Sequence, residues 1–112
     1  MITAEQLKDV VARVDALHHY LGIDKKKIEF EEEQLRTQAP DFWDDADRAR
    51  EQMKKVKGIE KWLKGYENVK SEAEELQLAF DFYKDELVTE EEVDNDYAKV
   101  ITDIENLELM NM

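Results

Sequence analysis

Leu7, Val14, Leu21, Ile28 and Leu35 recur every seven residues, and Val10 and Leu17 fill the alternate positions. This is the spacing of an apolar stripe along a helix. The stripe opens on a capping box, in which Thr3 can accept from the amide of Gln6, Gln6 can return the bond, and Ile2 can pack on Leu7. One long helix to about Thr37 is expected. Past Gly22 the alternate positions fall on Asp24 and Glu31, so the second half carries a narrower seam or a bend.

A second pattern runs from Asp45 to about Leu87. Ile59, Trp62, Tyr66, Val69, Ala73, Leu76, Phe80, Tyr83 and Leu87 alternate steps of three and four, which predicts a continuous buried seam. Ala46, Ala49, Met53 and Val56 belong to another register, and successive three-residue steps around Gly58 predict a local twist or kink. Thr89 and Glu92 then form another capping box, with Val88 and Val93 as its staple. Val93, Tyr97, Val100, Ile104 and Leu107 give a third helix. Residues 1–112 thus read as a single all-α domain, an elongated antiparallel three-helix bundle with coiled-coil-like packing.

Residues 38–45 form the corner between the first two helices. Pro40 stops the first, Asp44 caps the second, Phe42 and Trp43 plug the end of the bundle, and Asp41 and Asp45 complete the turn.

Composition agrees with long helices: 40% of the 112 residues are charged, and only three Gly and one Pro are present. No apolar run reaches membrane-spanning length and no signal pattern opens the chain, so a soluble, cytoplasmic protein is expected, with no membrane partner. The absence of cysteine excludes disulfides and thiolate chemistry. His18 and His19 are adjacent and so diverge on a helix, whereas paired helical ligands need a spacing of three or four. Asp41, Asp44, Asp45 and Asp47 lack the alternating ligands and central Gly of a calcium loop. With no nucleophile–base pair or phosphate loop, neither an enzyme nor a cofactor is expected.

Charge is unevenly spread. The net charge is -13, yet residues 48–64 hold Arg48, Arg50, Lys54, Lys55, Lys57, Lys61 and Lys64 against only Glu51 and Glu60. One reading is a docking face for an acidic partner such as structured RNA. The other is that the segment, antiparallel to the first helix, balances Glu29, Glu31, Glu32 and Glu33. The second has more weight, because the acidic remainder of the surface repels nucleic acid.

Tyr20-Leu21, Asp24 and Lys26-Lys27, followed by Pro40-Asp41-Phe42-Trp43-Asp44-Asp45 and Arg48-Ala49, resemble the N-terminal domain of bacterial peptide chain release factor 2 over essentially the whole chain. The resemblance implies a helical arm of a class I translation termination factor of the UGA/UAA type. Such an arm docks at the ribosomal stalk base, on protein and ribosomal RNA, in the context of the full-length factor, and bears on the GTPase release factor 3. DNA is not an expected partner. Gly22, Gly58 and Gly65 are isolated, so the family's Gly-Gly-Gln hydrolysis motif is absent, as is its codon-reading tripeptide, and neither activity is implied for this chain. A self-contained acidic helical adaptor, or a coiled-coil scaffold module, is the alternative.

Overall fold

The computed structural model describes residues 1–110. Among them, α1 spans Ala4–Tyr20, α2 Ile23–Arg36, α3 Ala46–Lys84 and α4 Glu90–Leu109, with a short 3-10 turn at Phe42–Asp44 and no strand. The body measures 60 × 25 × 19 Å. Its radius of gyration is 18.5 Å, against about 13 Å for a compact chain of this length.

Both capping boxes form. The Gln6 amide donates to Thr3 Oγ1 at 3.1 Å, and the Thr3 amide donates to Gln6 Oε1 at 2.8 Å. Thr89 and Glu92 exchange the same bonds at 3.2 and 2.9 Å. These bonds satisfy amides that a helix start leaves without partners.

The single first helix expected to Thr37 is instead two. Gly22 adopts φ 61° and ψ 50°, the left-handed region, and sits between the end of α1 and the start of α2. The chain nevertheless loses little hydrogen bonding there: the Leu21 amide donates to Leu17 O, Gly22 to His19 O, and Lys26 to Gly22 O. The left-handed residue resets the rotational phase, and the stripe of α1 does not continue. Leu7, Val10, Val14, Leu17 and Leu21 are buried as expected, whereas Ile28 and Leu35 are 59% and 63% exposed. In α2, Ile23 and Glu33 are buried and Lys26 and Phe30 half-buried, and the half-buried Thr37 just past its end continues an inward stripe that is largely polar.

α3 runs unbroken for 39 residues, about 58 Å at 1.5 Å per residue. Gly58 does not interrupt it; the buried line shifts there, from Ala49 and Val56 to Ile59, Tyr66, Val69, Ala73 and Leu76. The shift follows a change of partner. Towards its N-terminus α3 packs on α2, and towards its C-terminus on α1 and α4, where Val93, Val100, Ile104 and Leu107 join Leu7 to Leu21 and Tyr66 to Ala79 in one core.

Two further expectations change. α3 ends at Lys84, so Leu87 lies beyond the seam and is exposed. There Glu86 takes φ 62°, its amide donates to Tyr83 O, and the Leu87 amide donates to Phe82 O. This is a Schellman ending with a glutamate where glycine is usual. At the other end Asp45, not Asp44, caps α3: its Oδ1 accepts from the amides of Asp47 and Arg48 at 3.1 and 3.2 Å. Asp44 closes the 3-10 turn by donating its amide to Asp41 O, which moves the helix start one residue along.

Candidate functional site

The corner and the basic segment meet at the N-terminal end of α3. Phe42 is half-buried and, with Arg36, Asp41, Asp45, Arg48 and Gln52, lines a hollow of about 290 Å³ between the end of α2 and the start of α3. Trp43 points the other way. It packs edge-on against Phe42, with ring centroids 4.7 Å apart, and is 68% exposed, so it does not plug the bundle. The 3-10 turn causes this divergence, because consecutive residues in it project about a third of a turn apart. Pro40 is exposed, in the turn that follows α2.

All seven cations of the basic segment are exposed, but they do not form one face. Arg50, Lys54, Lys57, Lys61 and Lys64 step by four, three, four and three and so form a single ridge along α3. Arg48 and Lys55 fall on the other side, towards α2. Lys55 Nζ lies 3.1 Å from Glu33 Oε1, and Gln52 Nε2 donates to Glu33 Oε2 at 2.8 Å and to the Glu33 carbonyl at 2.7 Å. The hydrogen bond from Gln52, then that from Lys55, holds the Glu33 carboxyl below its usual range, against the opposing effect of desolvation.

Balancing of acidic residues by the basic segment therefore holds for Lys55 and Glu33 and does not extend to the ridge. Within the ridge, Lys64 reaches Glu60 at 2.8 Å, Lys54 reaches Glu51 at 3.9 Å, and Arg50 pairs with Asp47. These are exposed pairs within one helix, worth little and easily exchanged. Lys57 and Lys61 make no ion pair among the described residues.

Beside the ridge lies a groove of about 450 Å³. Trp43, Ala46, Ala49 and Met53 floor it, and Arg50, Lys54 and Lys57 form its rim. Sequence reasoning placed Ala46, Ala49 and Met53 in a second register without finding its use. The register matches the groove floor, and the signal was its separation from the main seam.

The remaining chemical candidates do not converge. His18 Nε2 lies 3.3 Å from Asp24 Oδ1, and its ring packs edge-on against Tyr66. Among the described residues, no three His, Cys, Asp or Glu side chains are grouped to hold a metal ion, and no helix is long and apolar enough to cross a membrane. No family model matches the chain, and a search of curated proteins found no match.

Proposed function

We propose that the chain is the N-terminal helical arm of a class I peptide chain release factor of the UGA/UAA type. In this reading it acts in the cytoplasm, docks at the ribosomal stalk base and GTPase-associated region, bears on the GTPase release factor 3, and catalyses nothing itself. The observation that carries the reading is where the resembling residues fall. Leu21 adjoins the left-handed Gly22, and Pro40 to Asp45 form the turn into α3, so both elements of the resemblance lie at joints. Heptads recur in many unrelated helical proteins, whereas joint residues answer to one local geometry. α1 and α2 then form one interrupted arm antiparallel to α3, with α4 as the third, an elongated three-helix bundle with coiled-coil-like packing.

The ridge suits such docking because it concentrates exposed positive charge on an otherwise acidic body. Co-sedimentation with ribosomes over a salt series tests the proposal. Binding should weaken with salt, and Lys61→Gln with Lys64→Gln should weaken it and flatten the salt slope, since each phosphate contact releases counterions. Arg48→Gln, on the opposite side, should not. Absence of binding at low salt would remove the reading.

The exposure of Ile28 and Leu35 favours a second reading, an acidic adaptor or scaffold whose α2 pairs with another helix. Ribosome-independent association that Leu35→Glu abolishes would select it.

A further inference from the structure

We infer that the groove between Trp43 and Met53 is a docking site for an acidic amphipathic helix of a partner protein. The floor is aliphatic except at its end: Ala46, Ala49 and Met53 leave a shallow trough, and Trp43 stands over it with 68% of its surface exposed. Small residues let a second helix approach closely, methionine adapts to the side chain it meets, and tryptophan is enriched among the residues that anchor interfaces. From Ala46 to Lys57 the trough is about 17 Å long, the length of three helical turns.

Charge selects the occupant. Arg50, Lys54 and Lys57 form the rim, Lys57 has no ion pair among the described residues, and Lys54 reaches its own at only 3.9 Å. A helix with Leu or Phe on one face and Asp or Glu flanking that face therefore meets the floor with its apolar side and the rim with its carboxylates. A second groove makes the contrast. Val11 and Leu78 line it, but Asp15 and Glu74 stand there with Lys70, so it offers no surplus of positive charge to an acidic helix.

Nucleic acid fits less well. Single strands are held by successive aromatic platforms, and this trough has one aromatic and an aliphatic floor. The body of net charge -13 also repels a long polyanion far more than a short acidic segment. The inference stands apart from the termination reading, because Lys61 and Lys64 lie outside the groove and can fail separately.

The test is a fluorescence anisotropy titration of the full chain with a labelled synthetic peptide bearing leucines on one helical face and glutamates on the other. A scrambled peptide of the same composition and a labelled oligouridylate are the other arms. Trp43→Ala removes the anchor. Ala46→Glu puts a carboxylate on the floor at an exposed first-turn position where an acid favours the helix, so folding is preserved. Each should weaken the ordered peptide about tenfold, with unchanged helicity by circular dichroism. Lys61→Gln with Lys64→Gln should leave it unchanged. Equal affinity for ordered and scrambled peptides, or indifference to both groove substitutions, overturns the inference. So does oligouridylate binding that is tighter than peptide binding and lost with Trp43→Ala, which assigns the groove to RNA.

Discussion

Lys55 on α3 and Glu33 on α2 meet at 3.1 Å, so for this cation the balancing of acidic residues on the first helical arm holds, and it ties two helices together. Lys55→Gln should lower the melting temperature, while Lys57→Gln and Lys61→Gln, on the exposed ridge, leave it unchanged. The pairing also fixes a pH dependence. Because the folded Glu33 carboxyl lies below its ordinary value of 4.5, its contribution is complete above that value and is lost as pH falls through the folded one. Thermal melts of wild type and Glu33→Gln should therefore converge on acidification.

Glu72 behaves oppositely. It is buried on α3, one of its oxygens has no hydrogen-bond partner, and burial followed by the nearby Asp103 pushes its carboxyl up to about 7. Between the ordinary value of 4.5 and about 7 the folded state holds the extra proton, so stability falls as pH rises through that window. Glu72→Gln should flatten this slope and raise stability at pH 8 by up to about 3 kcal/mol. Urea denaturation at pH 5 and pH 8 decides, and equal slopes for the two proteins would contradict it.

The three glycines should respond differently to alanine. Gly22→Ala places a side chain in the left-handed region and should cost about 1–2 kcal/mol. Gly58→Ala meets nothing within 4 Å inside a continuous helix and should gain about 0.5–1 kcal/mol. At Gly65 an added Cβ would stand 3.0 Å from Leu107 Cδ1, so its gain should be smaller or negative. Chemical denaturation of the three variants gives the order directly.

Trp43→Ala should change stability by less than about 0.5 kcal/mol, the range for exposed side chains away from special features. A core plug would have cost about 3 kcal/mol. An unchanged denaturation midpoint with lost peptide affinity places the residue at an interface.

Much of the helical plan was legible because local chemistry and periodicity agree. Thr3 with Gln6, and Thr89 with Glu92, mark helix starts that no packing is needed to specify. The seam from Ile59 to Leu76 was equally plain. The break at Gly22 was legible only as a weakening, since glycine permits a left-handed backbone without requiring it. Past that residue, the heptad count continued to Ile28 and Leu35 although the backbone phase had changed. The true inward line, Ile23, Lys26, Phe30, Glu33 and Thr37, keeps alternating three- and four-residue steps, but its polar members hid it from a hydrophobic count. Trp43 was misplaced for a related reason: composition shows an aromatic at a turn, not which way a 3-10 turn projects it. The ridge could have been found, because its spacing separates it from Arg48 and Lys55.

α4 ends near Gly65, where Leu107 meets α3, while α3 continues to Ala46 with α2 beside it. The molecule is therefore a tapered beam. Resistance to bending falls steeply with cross-section, so thermal deflection concentrates in the thinner half, and amide hydrogens from Ala46 to Ile59 should exchange ahead of those from Tyr66 to Ala79. The thick half serves as a root, and the thin half, with Trp43 at its end, can follow a moving surface without loosening it.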